Sequence, residues 1–328
     1  MENMKLYSKN TQRWAARKNK KRLKRKNKKY VPKNGRLKLE SPKLFSIIKN
    51  RDSVIRFFNR AIDFVKNKKY IELDFVHISE TDAVTVSLLI AIMMDNKKEI
   101  GQAFYKYASI TIPGRRSKAY EMFNKCDFHT TVTTGNSTHN YFISRIDSKV
   151  NQKYTEEIIQ FAEESGIRDA KTILNPILVE IFANTNNHAT PEDEPEKLRW
   201  FLSIVKEREK LCFSVIDLGV GIYNSLKTKT ALANIPTKEF DSIRDLYDNE
   251  QSRYLSTQIP IGVYSSTKQN FRGKGLREIY TKARASTSCK KFVIITNKAM
   301  VNILKIDKIQ NDSEGSFGGT IFYWEMER

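Results

Sequence analysis

The chain has 328 residues, of which 40% are hydrophobic and 11% aromatic, a length and composition typical of two domains with real cores. Its longest apolar run, residues 83–94, is too short to cross a bilayer. The three scattered cysteines argue against a disulfide framework or a zinc site. We therefore expect a cytoplasmic protein without a membrane segment.

Positive charge is concentrated at the N-terminus. The first 50 residues hold 18 Lys and Arg residues against two acids, a net +16, so the other 278 residues carry only +5 of the total +21. Because residues 13–38 are dense in charge and poor in apolar groups, we expect residues 1–40 to form a disordered basic arm. We predict that residues 13–38 contact DNA or RNA through phosphates; a solvated or acidic-protein-binding tail is the alternative.

Residues 41–148 predict a small α/β domain, because strand and helix patterns alternate along them. The predicted elements are a helix over 53–69, a strand over 70–75, a buried helix over 81–99, a strand over 108–114 and a helix over 116–128. Thr81 or Asp82 is the expected N-cap of the buried helix.

Residues 149–328 predict a second domain in which helices and strands are mixed. A helix is expected over 152–168, and another from about Asn175 to 189, with Pro176 in its first turn. The remaining expected elements are strands over 198–207 and 210–217, an irregular segment over 222–272, a helix over 275–286, and strands over 291–297, 300–306 and 319–327.

The second of these helices carries a polar stripe. Glu180, Asn184 and His188 are spaced i, i+4 and i+8, and Asn187 lies beside them. Leu178, Val179, Ile181 and Phe182 are expected to cover the other side. The stripe is either a solvated face of an amphipathic helix or part of a site.

Three glycine-rich motifs follow the stripe. DLGVGI places a carboxylate at the end of an apolar strand before a tight turn, and RGKGL opens a helix whose free N–H groups can hold a phosphate. GGT enters the final strand. The residues singled out are Asp217, Gly219, Gly221, Gly273, Lys274, Gly275 and Thr320.

In this order, the four motifs within residues 152–328 resemble those of the GHKL ATPase superfamily, which groups gyrase, chaperone, histidine-kinase and mismatch-repair ATPases. The resemblance implies a two-layer α/β sandwich with a mixed sheet over residues 149–328. It also implies ATP and Mg²⁺ as ligands, and a lid over about 222–272.

The resemblance implies roles for the polar residues. Asn184 would bind Mg²⁺ and Glu180 would act as general base, orienting water or a hydroxyl toward the γ-phosphate. Asp217 would accept from the adenine amino group, with support from Thr320.

Other positions would shape the nucleotide pocket. Gly219, Gly221, Gly273 and Gly275 would let backbone approach the nucleotide. Lys274 would contact phosphate or be a solvated lysine. Asn187 would line the pocket, and His188 resembles the histidine that ends this motif in anti-sigma-factor kinases; for both, a polar structural role is the alternative.

Residues of about 45–135 resemble a STAS domain, the module of anti-sigma-factor antagonists, through YIELDFVHISETDAVTVSLLIAIM and ITIPGRRSKAYEMFNKCDF. Where such domains carry a phosphorylatable serine, this chain reads SETDA and lacks the glycine. We favour the interpretation that Thr81 or Asp82 caps a helix.

These resemblances leave three functions open. The first is an ATP-driven conformational switch with ATP hydrolysis. The second is a protein serine/threonine kinase of anti-sigma type, and the third is a regulatory module that binds nucleotide without chemistry. An orthodox sensor kinase is disfavoured because no histidine lies in a His-Glu/Asp context. The STAS-like domain offers a surface for a protein partner, and a homodimer stays open.

Overall fold

A computed structural model gives the fold of the chain. It describes residues 36–95, 104, 106–134, 141–145, 152–188, 200–227, 249–261 and 275–328. The contacts among Cα atoms divide the chain after Leu37, and residues 38–328 form one compact unit. No helix among the described residues has the length and apolar character needed to span a bilayer.

The protein is a mixed α/β structure with nine α-helices among the described residues. The helices are α1 (Arg51–Lys66), α2 (Ala83–Met94), α3 (Lys118–Lys125), α4 (Phe128–Thr134), α5 (Gln152–Glu164), α6 (Ala170–His188), α7 (Gly221–Lys227), α8 (Gln251–Ile261) and α9 (Gly275–Ala285). The strands are β1 (Leu37–Glu40), β2 (Leu44–Phe45), β3 (Ile71–Asp74), β4 (Glu80–Thr81), β5 (Ala108–Thr111), β6 (Tyr141–Arg145), β7 (Trp200–Glu207), β8 (Lys210–Asp217), β9 (Cys289–Asn297), β10 (Ala299–Asn302) and β11 (Phe317–Glu327).

The described strands form three sheets, one antiparallel and two with parallel pairs. A six-stranded sheet has the order β10-β9-β11-β8-β7-β6, and all of its neighbouring strands are antiparallel, so the expectation of a mixed sheet here is wrong for the described strands. A three-stranded sheet has the order β1-β3-β5, and β3 and β5 are parallel, as expected for two strands joined through a helix. The two-residue strands β2 and β4 pair in parallel. The boundaries predicted at residues 40 and 148 stay predictions.

Both faces of the six-stranded sheet are buried. Side chains alternate between the two faces along each strand. On β8, Phe213 and Val215 join the core beneath helices α5, α6, α8 and α9, whereas Cys212 and Ile216 join the core shared with residues 39–128. This double burial explains why β7, β8, β9 and β11 read as almost continuous apolar runs although the sheet is antiparallel.

Helix α2 lies against the second face of this sheet. It is apolar on every side and buried from Ala83 to Met93, as a helix enclosed by protein must be. Ser87 Oγ donates to Ser203 Oγ of β7 at 3.0 Å, so this polar pair is satisfied within the core. The prediction of a buried helix over this apolar run is confirmed.

Of the two residues predicted as the N-cap of α2, the structure has Asp82 in that position. Its Oδ1 accepts from the Thr85 backbone N–H at 2.8 Å and from Thr85 Oγ1 at 2.6 Å, and Ser46 Oγ donates to its other oxygen. Burial raises the pKa of Asp82, while these hydrogen bonds act against burial. Thr81 lies in β4, and its Oγ1 is buried without a partner in the described part of the chain.

Three predictions about secondary structure are wrong. Helix α6 begins at Ala170 rather than near Asn175, so Pro176 lies inside it, because the buried Ile173 and Leu174 extend the helix toward its N-terminus. The segment predicted as irregular contains helices α7 and α8. The strand predicted over 300–306 ends at Asn302, where the asparagine side chain caps a short 3-10 helix through Leu304 N–H.

Candidate functional site

Helix α6 positions two of the predicted site residues one turn apart. Glu180 and Asn184 are both partly buried, whereas Leu178, Ile181 and Phe182 are enclosed in the core. Val179, which was predicted to cover the apolar side, is 39% exposed. The polar stripe is therefore not a fully solvated helix face.

The N-terminus of helix α9 lies directly against these two side chains. A Cβ atom on Gly275 would collide with Glu180 Oε2 and would lie 3.3 Å from Asn184 Nδ2. The absence of a side chain at Gly275 thus permits the close approach of α9 to α6. Asn184 Nδ2 is buried and has no hydrogen-bond partner in the described part of the chain.

The Glu180 carboxyl has a raised pKa. Burial is the larger cause, because it disfavours the ionised form, and the nearby charge of Glu278 is the second. Glu278 lies one turn after Gly275 on α9 and is exposed. A carboxylate with a raised pKa is a stronger base, a property suited to proton abstraction.

A second group of predicted residues lies at the end of the six-stranded sheet. Asp217 of β8 pairs in register with Thr320 of β11, which pairs with Thr296 of β9. The Thr296 and Thr320 hydroxyls are 3.3 Å apart. The alternation along the strands puts all three on the face covered by α6, and all three are buried.

The predicted glycine turn after β8 is tight. Asp217 Oδ1 accepts from the Gly219 N–H at 2.5 Å, and α7 begins two residues later at Gly221, with a φ of 80°. A Cβ on Gly221 would lie 2.6 Å from Asn297 Oδ1. A glycine is therefore required here both for conformation and for space.

Two residues that were not predicted from the sequence, Thr296 and Asn297, hold this turn in place. Asn297 Oδ1 accepts from the Tyr223 N–H at 3.0 Å, and Asn297 Nδ2 donates to the Val220 carbonyl at 3.0 Å. Thr296 Oγ1 accepts from the Ile222 N–H at 2.9 Å. The only local signal is an asparagine before Lys298 at a strand end, where its φ of 50° suits a tight turn.

The structure brings the described site residues onto one face of the sheet in two groups. Helix α6, which carries Glu180, contacts both α7 and α9, the helices that begin at Gly221 and Gly275. The Asn187 and His188 side chains, and residues Gly273 and Lys274, lie outside the described part of the chain. Much of the predicted lid over 222–272 lies outside it too.

The comparisons with known proteins do not identify a family. No protein-family model matches the chain, and a search of curated proteins found no match. Among the described residues, no three His, Cys, Asp or Glu side chains group as a metal cluster.

Proposed function

We propose that this protein binds ATP with Mg²⁺ in the manner of GHKL ATPases and uses its hydrolysis to drive a conformational change. The observation that carries the proposal is the contact of Gly275, at the start of α9, with Glu180 and Asn184 of α6. It joins a general-base candidate, a carboxamide and the N-terminal N–H groups of a helix in one place. Such N–H groups favour phosphate.

The adenine would bind at the sheet end. The buried Asp217 carboxylate would accept a hydrogen bond from the adenine amino group, and Thr320 lies beside it in register. Gly219, two residues after Asp217 and partly exposed, offers backbone without a side chain, so a flat base can approach closely there, whereas Gly221 is buried against Asn297. Asn297 and Thr296 would support the pocket by holding the turn.

The phosphates would bind between α6 and α9. The buried Asn184 Nδ2 needs an acceptor, and an orphaned buried donor costs about 1–3 kcal/mol, so a phosphate oxygen would satisfy it. The amide oxygen of the same side chain is a ligand type that Mg²⁺ accepts. When bound, Mg²⁺ would neutralise phosphate charge. Glu180 would orient the attacking water and take its proton.

Calorimetry with Mg²⁺ and ATP tests the proposal. Wild-type protein should bind ATP, Asp217→Asn should bind it more weakly, and Asn184→Ala should lose most of the Mg²⁺-dependent part. Lys305→Gln is a matched surface control and should bind like wild type. If folded wild-type protein does not bind ATP, the proposal is wrong.

The fate of the γ-phosphate separates hydrolysis from the kinase alternative. Radiolabelled ATP should release free phosphate if water is the acceptor. Label transferred to a protein hydroxyl would favour an anti-sigma-type kinase, and intact ATP would favour a binding module. The predicted contact of residues 13–38 with DNA or RNA stays a separate proposal, and those of its residues before Arg36 lie outside the described part of the chain.

A further inference from the structure

A surface of rings and cations lies where β3 and β5 begin, and it shares no residue with the groups proposed to bind ATP. We call it the basic aromatic surface, and its members are Arg60, Phe64, Lys69, Tyr70, Lys106 and Tyr107. The three rings are partly exposed, and the three cations are exposed. Neither the fold nor the proposed ATP chemistry requires this composition.

Strand register sets the spacing of the two tyrosines. Tyr70 directly precedes β3 and Tyr107 directly precedes β5, and the parallel pairing of Ile71 with Ala108 brings them side by side. Their ring centroids are 5.2 Å apart with an interplanar angle of 62°. The register therefore sets two rings in edge-to-face contact at adjacent positions of one surface.

Cations surround the rings. The Arg60 guanidinium carbon lies 5.9 Å from the centre of the Phe64 ring, and the Lys69 ammonium lies 5.5 Å from it. The backbone N–H of Lys69 also donates to the Phe64 carbonyl at 2.9 Å. Because Lys69 directly precedes Tyr70, it connects the Phe64 ring to the tyrosine pair. Lys106 lies 5.1 Å from the centre of the Tyr107 ring.

The surface carries a clear excess of positive charge. Lys66 and Lys68, at and just after the end of α1, add two cations, whereas Asp63 is the one acid among residues 60–70. The Asp63 carboxylate already accepts from Asn67 Nδ2 at 3.0 Å. Within the described ranges, none of the five cations forms an ion pair.

We propose that the basic aromatic surface binds single-stranded nucleic acid. Unpaired cations can follow a phosphate backbone, and fixed rings can stack unpaired bases, which is how single strands are bound without sequence preference. Duplex DNA would meet the cations but would offer no base faces to the rings. This surface is separate in sequence from residues 13–38 and independent of ATP binding.

Fluorescence anisotropy of labelled oligo-dT and oligo-rU with the full-length protein, across a salt series, tests the proposal. Tyr70→Leu/Tyr107→Leu keeps apolar packing but removes the rings. It should weaken binding at least about fivefold at every salt concentration, the low end of the loss of one stacked base. Its salt slope should match that of wild type, because stacking releases no counterions.

Removal of positive charge, unlike removal of the rings, should change the salt slope. Lys66→Gln/Lys69→Gln/Lys106→Gln should reduce the salt slope by about 2, since each lost phosphate contact on a single strand is worth about 0.7. Lys290→Gln/Lys305→Gln/Lys308→Gln removes three exposed lysines elsewhere on the folded part and should bind like wild type.

Two outcomes would overturn the proposal. In one, both surface variants bind oligonucleotides like wild type at every salt concentration. In the other, duplex DNA or anionic phosphatidylserine vesicles compete better than the single strand does, and the tyrosine variant loses as much affinity for them as for the single strand. If the tyrosine variant unfolds in a thermal melt, the lysine variant decides, because its three side chains are exposed.

Discussion

Buried or partly buried polar groups lie at both ends of the six-stranded sheet, but the two ends differ in how these groups are paired. At the end where β8 begins, Glu325 accepts from Lys210 at 2.8 Å and from the Tyr323 hydroxyl at 2.7 Å, and Lys291 lies 3.5 Å away. These groups satisfy one another. The network faces the core shared with residues 39–128, opposite α6.

The end where β8 finishes is built differently. Gly221, Asn297 and Gly319 all have positive φ there, and a Cβ on Gly319 would collide with the Asp217 carbonyl oxygen. On the same face, α6 presents a carboxyl with a raised pKa at Glu180 and, at Asn184, a buried amide nitrogen without a partner among the described residues.

Polar groups at the first end pair with one another, whereas those at the second end are the groups that we propose bind a ligand. Glycine and asparagine accept the positive φ values at this end, but a buried donor without an acceptor costs on the order of 1–3 kcal/mol. The self-satisfied network carries no such cost. The two ends should therefore respond differently to substitution.

The largest expected effect is at Glu180. Glu180→Gln keeps the shape of the side chain but removes the base, so ATP turnover should fall by about 10²–10⁴-fold while ATP binding and the unfolding midpoint stay near wild type. Phosphate release measures turnover, titration calorimetry measures ATP binding, and a thermal melt measures the unfolding midpoint. Glu163→Gln, an exposed glutamate on α5, is the control. Equal turnover in both variants would make Glu180 a polar helix residue only.

The next effect is on stability at Gly319. Gly319→Ala combines a φ of 123° with the collision against the Asp217 carbonyl, so we expect a loss of about 2–4 kcal/mol in the free energy of unfolding. Gly318→Ala is the matched control, because its nearest neighbour would be 3.8 Å away. It should cost less than about 1 kcal/mol. Denaturant unfolding of both variants distinguishes strain at this glycine from a general intolerance of substitution.

Part of this contrast was predictable from sequence. The polar stripe on α6, the carboxylate ending β8 and the glycines after it follow from local periodicity and turn chemistry, and the structure has them in these elements. The support from Thr296 and Asn297 was not predictable, because it comes from residues 74 positions away along the chain.

The fold shows the same division between local and distant causes. Strong local patterns predicted α1, α2, β8 and β11. The start of α6 was missed because a proline is typical of the first turn of a helix. Inside a helix it is unfavourable by about 3 kcal/mol, which tertiary burial overrides here. The double burial of the sheet was missed because a continuous apolar run does not reveal what covers each face.

At the opposite end of the sheet, Glu325→Gln should lower stability without affecting ATP binding. It leaves Lys210 and Lys291 without their shared counter-charge, so we expect a loss of about 1–2 kcal/mol in the free energy of unfolding. Glu327→Gln on the same strand is the control. A change in ATP affinity in the Glu325 variant would contradict the proposal that only the other end of the sheet binds ATP.

The pH dependence of this loss has a definite sign. Burial raises the pKa of Glu325, but the hydrogen bonds from Lys210 and Tyr323 and the lysine charges outweigh burial, so its pKa lies below the ordinary value. Its stabilisation is therefore present above the ordinary carboxyl pKa and is lost as the pH falls through the lowered one. Wild type and variant should converge in stability in acid.

The smallest expected effect is a pH shift at the proposed catalytic carboxyl. Burial and the charge of Glu278 both hold the Glu180 pKa above its ordinary value, and Glu180 acts as a base only when ionised. The acid limb of the turnover profile should therefore lie above the range of an ordinary glutamate. Glu278→Gln removes one of the two causes, so the limb should move to lower pH by less than about one unit, with an unchanged plateau near neutral pH. Turnover measured from acid to neutral pH, with Glu163→Gln as the control, checks this. A shift to higher pH would mean that Glu278 does not act on Glu180 through its charge, and a lowered plateau would place Glu278 among the groups that contact the reacting phosphate.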